Sequence, residues 1–327
     1  MSEILVTGGS GFLGRAVIRR LIADGHRVTS LVRSAQSQRV VERLGARALS
    51  GDIQQVDKFT QPLADFSIVV HCAAPVEFWG PWEKYQQGII DATLTLAKAC
   101  AQQRVKRFIH ISSESVLQDR DDLVDINETH PYPHAANSYY GQAKRITEEQ
   151  LVHLDSAMEI IIIRPAFIWG PDCPTFATLS KKVRSREFVW IDQGRASFEA
   201  VHVENVAEAV RLALTHGNDR EIYFLTDDER STVREFFASL FDSLNLPETT
   251  RSMPKWLARA VACQVEFLWR TLRIKSAPPL TRFDFSFVAM SRRYQIDRAE
   301  NDLRYRPVIT RSDGFTQLGR ECRSAIL

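Results

Sequence analysis

The sequence predicts an α/β protein whose core is a doubly wound parallel sheet, followed by a smaller, irregular C-terminal part. The first observation behind this prediction is that short apolar segments alternate with helical segments through the first half of the chain, which is typical of parallel strands joined by helices. The second is a glycine-rich stretch at residues 7–14, which follows the first apolar segment and leads into an apolar-periodic helix at residues 12–22.

Six apolar segments fit the pattern of the predicted strands. In chain order they are residues 4–6, 27–32, 46–50, 67–71, 107–111 and 159–163. The last segment is apolar on both faces, as expected of a parallel strand covered on both sides. Long helices are predicted at residues 82–103 and 137–154.

The alternation stops near residue 172, which divides the chain into two parts. We place a first domain at residues 1–171 and a second, mainly substrate-binding region at residues 172–327, some of whose segments return to the first domain. Ligands of doubly wound proteins bind at the carboxyl ends of the strands, and an irregular C-terminal part would roof that edge.

Composition limits the classes of protein that need to be considered. A hydrophobic content of 44% and a net charge of +2 are ordinary for a globular protein and give no reason to expect nucleic acid. No apolar run reaches the roughly 18 residues of a membrane span, and the start shows no signal-peptide pattern, so we expect a cytoplasmic protein without an integral membrane segment. The five cysteines are widely spaced and contain no CxxC pair, which predicts buried thiols rather than disulfides or a zinc site.

The glycine stretch Thr-Gly-Gly-Ser-Gly-Phe-Leu-Gly is interpreted as a binding loop for a dinucleotide pyrophosphate. Gly8 would make the tight turn, Gly11 would let the backbone approach the phosphates, and Gly14 would let the helix pack on the strand. Free N–H groups and the helix dipole converge at such a turn, so Phe12 and Leu13 are assigned to the same site.

Two further segments concern the choice of dinucleotide. The second strand ends in Leu-Val-Arg-Ser without an acid, and Arg33 favours the 2′-phosphate of NADP(H). NAD(H) stays possible, because Arg33 could instead be a solvated arginine at a strand end. Asp52, followed by Ile53, comes after the third strand, where an acid can accept a hydrogen bond from the adenine amino group.

A serine, a tyrosine and a lysine form the candidate catalytic set. Tyr140 and Lys144 are four residues apart and so lie on one face of a helix. Ser112 and Ser113 end the fifth strand, at the edge where ligands bind. Because the phenol and the hydroxyl suffice for proton transfer to a carbonyl oxygen, no metal is expected.

This set resembles the Ser, Tyr-xxx-Lys constellation of the short-chain dehydrogenases. TGGSGFLG at 7–14, VVHCAA at 69–74, IIRPAFIWGP at 162–171, VHVENVAEA at 201–209 and YQIDRAENDLRYRP at 294–307 are similar to the extended, or epimerase/dehydratase-like, branch. Within that branch they resemble its 3β-hydroxysteroid dehydrogenase-like and ketone reductase members. The resemblance implies a Rossmann fold.

The resemblance also implies roles for individual residues. Tyr140 becomes the general acid/base, Lys144 its activator and a ribose ligand, and Ser113 the donor to the substrate oxygen. Ser112 and Tyr139 remain alternatives to Ser113 and Tyr140, although only Tyr140 has the lysine one turn on. Further cofactor contacts are implied within the same motifs at Ala73, Ala74 and Pro165.

Two features of the sequence depart from that pattern or leave it open. The family's Asn after the fourth strand is missing from the run that begins at Ile89, which leaves any proton relay through it in doubt. Glu114, placed where sugar dehydratases carry an acid, is expected to be a helix-start or surface carboxylate.

Aromatic residues near the expected nicotinamide predict an apolar substrate pocket. They are Phe78 and Trp79 after the fourth strand and Phe167 and Trp169 after the sixth. The alternative is that they pack the two parts of the chain together. The apolar pattern at residues 254–274, with basic residues at both ends, would rim a substrate entrance, touch a membrane surface or, as we expect, face the core.

These features together predict an NADP-dependent oxidoreductase that interconverts a hydroxyl and a carbonyl on a largely apolar small molecule. Steroid-like, flavonoid-like and alkyl β-keto compounds all fit that description. The alternatives are a nucleotide-sugar epimerase or dehydratase, and a dinucleotide sensor without catalytic activity. The resemblance also suggests a homodimer, because members of the branch often pair through the helices after the fourth and fifth strands.

Overall fold

Seven parallel strands form the central sheet of the computed structural model, which describes residues 1–119, 121–274 and 276–324. The strands are β1 (Glu3–Thr7), β2 (Arg27–Val32), β3 (Arg47–Ser50), β4 (Ile68–His71), β5 (Arg107–Ile111), β6 (Glu159–Pro165) and β7 (Ile222–Leu225). Their spatial order is β7-β6-β5-β4-β1-β2-β3, so the chain winds outward from β1 in both directions. In the register, Val6 lies beside Ser30 on one side and Val70 on the other. The predicted doubly wound parallel sheet is confirmed.

The sheet contains one strand that the sequence pattern did not predict. β7 pairs in parallel with β6, placing Tyr223 beside Ile163. Its four residues lie beyond residue 172, where the regular alternation of strands and helices ends. A short apolar segment of this kind cannot be assigned to a strand or a helix from the sequence pattern alone. A segment from the C-terminal part therefore completes the sheet.

Eleven α-helices of six or more residues are described around this sheet. They are α1 (Phe12–Ala23), α2 (Ala35–Arg43), α3 (Ala92–Gln102), α4 (Tyr139–Val152), α5 (Pro174–Arg184), α6 (Val203–Ala213), α7 (Val233–Ser243), α8 (Lys255–Thr271), α9 (Arg282–Ala289), α10 (Asp297–Asp302) and α11 (Arg311–Ser324). Their side chains cover both faces of the sheet, with Val17 of α1 and Val206 of α6 in one cluster and Leu96 of α3 and Leu151 of α4 in the other. Burial on both faces explains why β6 is an uninterrupted apolar run.

The helix predicted at 82–103 is not one regular helix. A turn at Trp82–Tyr85 and a π-helical segment at Gln86–Asp91 precede α3. Gly88 lies in the π-helical segment, and a Cβ there would come 3.1 Å from the Cγ of Pro75. The irregular winding therefore accompanies a close approach to the loop after β4, and π-helical turns of this kind are frequent at functional sites.

Short strand pairs shape the C-terminal part. They are Phe167–Trp169 with Ala200–His202, Trp190–Ile191 with Ser252–Met253, Ser197–Phe198 with Ser231–Thr232, and Leu123–Ile126 with Arg292–Tyr294. A separate cluster of aromatic side chains, including Phe176, Phe198 and Phe236, forms the core of this part.

Two sequence-based expectations about burial are wrong. Cys263 is exposed and Cys72 is only partly buried, whereas Cys100 and Cys173 are buried as expected; the side chain of Cys322 lies outside the described part. α8, expected to face the core with its apolar residues, instead buries Ala258, Ala262 and Glu266. Among the described helices, none is long and apolar enough to cross a bilayer.

Candidate active site

The glycine loop between β1 and α1 is shaped by two close approaches. Gly8 has a φ of +72°, and a Cβ there would lie 2.8 Å from the backbone N and Cα of Ala73. A Cβ at Gly14 would lie 2.2 Å from the carbonyl oxygen of Gly8. Because the opposing atoms belong to the backbone and cannot swing away, both positions require glycine. The loop therefore packs directly against Ala73 and Ala74, which follow β4.

The start of α1 fits an anionic group. Its N-cap is Gly11, and among the described residues no side chain caps the helix. The Gly11 amide donates to the carbonyl of Gly8 at 3.0 Å, which leaves the first-turn amides from Phe12 to Gly14 directed outward from the helix end. Those amides and the positive end of the helix dipole suit a diphosphate.

Arg33 and Asp52 lie close together at the far end of the candidate cofactor groove. The Arg33 guanidinium is 75% exposed and lies 4.0 Å from the carboxylate of Asp52. Asp52 also caps the short helix Ile53–Phe59 by accepting from the amide of Gln54 at 3.0 Å. Arg33 is therefore free to reorient toward a ligand, while Asp52 is partly held by its own helix.

Ser113 and Tyr140 are brought together by a tight contact between two helix starts. Ser113 caps the short helix Glu114–Leu117, and a Cβ at Gly141 would come 2.5 Å from the carbonyl oxygen of Ser115 in that helix. This close packing brings the start of α4 against the end of β5, where the hydroxyl of Ser113 lies near enough to the Tyr140 phenol to lower its pKa. The Ser112 hydroxyl, by contrast, has no hydrogen-bond partner within the described part of the chain. The geometry favours Ser113 over Ser112.

Lys144 lies one turn after Tyr140 and is held from two directions. Its Nζ donates to the carbonyl of Ile111 at 2.6 Å, at the end of β5. Burial lowers its pKa to about 8, while the Glu148 carboxylate opposes that change. Glu148 is itself fixed by a 2.6 Å ion pair with the fully buried Arg164. The ammonium is thereby anchored at the carboxyl edge of the sheet, close to the glycine loop.

Tyr140 holds its proton strongly. Burial raises the pKa of the phenol, the nearby Glu114 carboxylate raises it further, and the hydrogen bond from Ser113 opposes both. Only 7% of Tyr140 is exposed, so the cost of placing a charge there is large. The side chain is consequently poised as a proton donor.

Glu114 is at a helix start as expected, but it is not a surface carboxylate. Its oxygens accept hydrogen bonds from Gln118 at 2.8 and 2.9 Å and from the hydroxyl of Tyr294 at 2.9 Å. Burial raises its pKa, and the nearby Arg292 lowers it. Tyr294 is the first residue of the motif at 294–307, so the sequence already singled it out. Its contact with Glu114 could not be predicted from that motif.

A row of four aromatic side chains leads away from Tyr140. Phe78 meets Tyr140 edge-on at 5.3 Å between ring centroids and stacks on Phe283 at 3.9 Å. Phe287 continues the row, 6.2 Å from Phe283 and 5.3 Å from Phe167. The sequence reasoning missed Phe283 and Phe287, although their spacing of four residues in α9 indicates a shared helix face.

One of the two tryptophans predicted to line the pocket lies elsewhere. Trp169 has no exposed surface, and its indole N–H donates to Asp227 at 2.7 Å within the aromatic core of the C-terminal part. This placement contradicts the expected substrate contact, because the side chain is committed to packing. Trp79 lies under the guanidinium of Arg270, 4.9 Å away, at the outer side of the row.

The run that lacks the family's Asn contributes a threonine instead. Ile89 is buried in the π-helical segment, and the polar side chain of this run that reaches inward is Thr93. Thr93 contacts the Nε2 of His71 at 2.9 Å, and the Nδ1 of His71 contacts Thr7 at 2.7 Å. Burial lowers the pKa of His71 to about 3, so the imidazole is neutral. Among the described residues, no group of His, Cys, Asp and Glu is arranged to hold a metal ion.

A glycine loop after β1, the partly buried Ser113 with the buried Tyr140 and Lys144, and a doubly wound sheet define an NAD(P)-dependent dehydrogenase or reductase of the extended short-chain type. The family model described as the NAD dependent epimerase/dehydratase family matches residues 4–225, and the chain belongs to that family.

Similar proteins include two enzymes that act on ring systems. The chain is 30% identical over 315 residues to a 4-hydroxy-2-methyl-3-oxo-4-farnesyl-3,4-dihydroquinoline-1-oxide ketoreductase of Stigmatella aurantiaca, covering 96% of this chain and 94% of the other. It is 29% identical to a decarboxylating sterol-4-alpha-carboxylate 3-dehydrogenase of Dictyostelium discoideum, covering 97% and 100%. The crystal structure of UDP-glucose 4-epimerase from Thermotoga maritima superposes with a TM-score of 0.78 at 20% identity, covering 99% and 100%, and shares the fold.

Proposed function

We propose that the protein is an NADP(H)-dependent oxidoreductase that interconverts a hydroxyl and a carbonyl on a largely apolar small molecule. The observation that carries this proposal is the position of the buried Tyr140 phenol, which lies near enough to the Ser113 hydroxyl for that hydroxyl to lower its pKa and which meets the aromatic row that begins at Phe78. A proton donor at the end of an apolar wall suits a carbonyl on a hydrophobic skeleton.

The cofactor would be held by the glycine loop, by Ala73 and Ala74, and by Lys144. The amides at the start of α1 would bind the diphosphate, and Arg33 would pair with a 2′-phosphate. We assign Pro165, at the end of β6, to the same groove. When bound, the reduced nicotinamide supplies a hydride to the carbonyl carbon.

The remaining chemistry is carried out by side chains of this chain. Ser113 donates a hydrogen bond to the carbonyl oxygen and orients it toward Tyr140. Tyr140 gives its proton to that oxygen as the alcohol forms, and the raised pKa of the phenol keeps the proton in place until then. Lys144, anchored on Ile111, holds the ribose and favours the phenolate that remains. Oxidation of an alcohol follows the same steps in reverse.

The substrate class is proposed from two independent lines of support. Phe283 and Phe287 add apolar surface from α9, which belongs to the region 172–327 that we assign mainly to substrate binding. The relatives from Stigmatella aurantiaca and Dictyostelium discoideum are a ketoreductase and a 3-dehydrogenase that act on a farnesylated dihydroquinoline oxide and a sterol carboxylate. Steroid-like ketones and alkyl β-keto compounds are therefore the first substrates to test.

The test is a panel of apolar ketones with NADPH, followed at the nicotinamide absorbance, for the wild type and Tyr140→Phe. We expect at least one ketone to be reduced and Tyr140→Phe to lower kcat about 100-fold or more, because general acid catalysis contributes about 10²–10⁴. Tyr139→Phe is the matched control and should keep its activity. Binding and epimerisation of a UDP-sugar, with no ketone reduced, would replace this proposal with an epimerase.

A further inference from the structure

α8 exposes several of its large apolar side chains, while its fully buried residues include two alanines. Trp256 and Phe267 are each 72% exposed, and Leu272 is 60% exposed. The helix instead rests on the protein through Ala258 and Ala262, which have no exposed surface. A helix that is partnered only by water shows the opposite distribution, so this outward face is suited to an apolar surrounding.

The charges of α8 are equally one-sided. Basic residues lie along it at Lys255, Arg259 and Arg270, and Arg273 follows its end. The sequence of the helix contains one acid, Glu266, which is buried and pairs with Arg270 and Arg282 at 3.0 Å each. The outer surface therefore combines aromatic and aliphatic side chains with the positive charges of Arg259 and Arg273, while Lys255 lies 3.8 Å from the carboxylate of Asp122.

The C-terminal end of α8 borders the candidate active site. The Arg270 guanidinium lies 4.9 Å from the ring centroids of both Trp79 and Tyr139, the neighbour of the proposed acid. Trp79 belongs to the loop that carries Phe78, and the same loop exposes 67% of Val76. The apolar surface of α8 thus lies next to the loop that begins the aromatic row.

We propose that α8 docks the protein on the surface of an anionic lipid bilayer. The helix lies in the interfacial plane, with Trp256, Phe267 and Leu272 among the headgroups and acyl chains and the basic residues toward anionic lipid phosphates. An amphipathic helix with aromatic residues on one face and Lys or Arg beside them binds membranes in this way. An apolar substrate would then reach the pocket from the membrane. Docking itself does not depend on the proposed reaction.

The charges argue against a second copy of this chain as the occupant. A two-fold contact brings two copies of the same patch together, so the positive charges of Arg259 and Arg273 in one copy would lie close to those of the other. No acid on the outer face of the helix would compensate them, since Glu266 is buried. Anionic lipid supplies the charge that such a contact lacks.

The experiment is co-sedimentation of the full-length protein with vesicles. One set is phosphatidylcholine alone and the other contains about a quarter phosphatidylglycerol, a composition that gives a negative surface potential. We expect binding to the anionic vesicles, and binding at least about tenfold weaker at roughly 0.5 M salt, where charges are screened beyond a few ångströms.

Two double variants separate the apolar and the electrostatic contributions. Trp256→Gln with Phe267→Gln, and Arg259→Gln with Arg273→Gln, should each weaken vesicle binding about tenfold or more, since both insertion and charge are needed. The matched controls are Val124→Gln with Val308→Gln, which change exposed apolar residues elsewhere, and Lys181→Gln with Arg184→Gln, which remove two exposed charges from α5. Both controls should bind as the wild type does.

Three outcomes would overturn the proposal. The first is that the wild type does not bind the anionic vesicles. The second is that the control pairs lose binding as much as the α8 variants do. The third is that Trp256→Gln with Phe267→Gln converts a dimer to a monomer in light scattering without changing vesicle binding, which would identify the face as a protein interface. Because no assay here requires turnover, these results are independent of whether a ketone is reduced.

Discussion

At the scale of single residues, the site is governed by how burial changes the protonation of its members. Burial and the Glu114 carboxylate raise the pKa of Tyr140, whereas burial lowers the pKa of Lys144 to about 8. The two shifts have the same cause, the cost of placing a charge away from water. In the protein as it stands, the phenol is therefore the neutral proton donor, and charge on it must be stabilised by what binds beside it.

Replacing Glu114 with Gln tests this electrostatic coupling. Glu114→Gln removes a negative charge near Tyr140 and keeps a group that can bond to Gln118 and Tyr294, so the pKa of Tyr140 should fall. Reduction needs the protonated phenol and is lost as pH rises through its pKa, so the high-pH loss of kcat/KM should begin at lower pH in the variant. Oxidation needs the phenolate, and its rise with pH should shift to lower pH as well.

The measurement is a pH profile of kcat/KM in both directions. Glu248→Gln removes an exposed carboxylate elsewhere and serves as the control, with an unchanged profile. A profile of Glu114→Gln that coincides with the wild type would show that Glu114 does not act on Tyr140.

A second residue-scale prediction concerns the cofactor. Arg33→Ala should weaken NADPH binding about tenfold, equal to about 1.4 kcal/mol, and leave NADH binding unchanged, because only the 2′-phosphate is paired. Fluorescence titration with both cofactors measures this. Arg43→Ala, at an exposed arginine at the end of α2, should change neither affinity. Equal affinities for NADPH and NADH in the wild type would contradict the NADP preference.

At the scale of elements, α8 and the strand Phe167–Trp169 show that the segments packed against an element determine which of its side chains are buried. The apolar pattern at 254–274 indicates an amphipathic helix, and that helix exists. Ala258 and Ala262 are fully buried and Trp269 is partly buried, whereas Trp256 and Phe267 are exposed. In the same way, Trp169 follows the ligand edge of the sheet, yet the short strand Phe167–Trp169 pairs with Ala200–His202 and carries it into a core.

Trp169→Phe tests whether that tryptophan packs or binds substrate. The variant keeps an aromatic ring but leaves the Asp227 oxygen without the indole donor, so unfolding free energy should fall by about 1–3 kcal/mol. KM for the ketone should be unchanged. Denaturant unfolding and steady-state kinetics give the two values, with Phe78→Leu as the comparison that should raise KM. A raised KM in Trp169→Phe at unchanged stability would restore it to the substrate site.

At the scale of the whole molecule, the two parts of the chain share one core. One hydrophobic cluster contains Val6 and Ile18 from the first part together with Val206 and Phe224 from the second. β7 also covers the edge of β6 that residues 1–171 alone would leave open. Residues 172–327 therefore contribute a strand to the Rossmann sheet and are not a separate appendage.

Unfolding of the full chain should accordingly be a single cooperative transition. Far-UV circular dichroism and tryptophan fluorescence should give coincident curves in denaturant, because the cluster that contains Val6, Ile18, Val206 and Phe224 is divided between the two parts. A fragment of residues 1–171 should fail to show a cooperative transition. Two separated transitions, or an independently folded fragment, would establish two autonomous domains.

The sequence by itself determined the doubly wound sheet, six of its strands and the position of the glycine loop. These follow from local rules: the alternation of apolar segments and helices, and the need for glycine where a Cβ at Gly14 would meet the carbonyl of Gly8. Tyr140 and Lys144 were likewise predictable to share a helix face from their spacing alone.

The tertiary structure alone decided the rest. The pairing of β7 with β6, the burial of Glu114 against Tyr294, the aromatic row through Phe283 and the outward face of α8 all depend on residues distant in sequence. The pattern of polar and apolar residues predicts whether a side chain prefers an apolar or a polar environment. It does not predict which residue will contact that side chain in the folded chain. That is settled by packing of the whole chain, where shape and charge are matched between segments far apart.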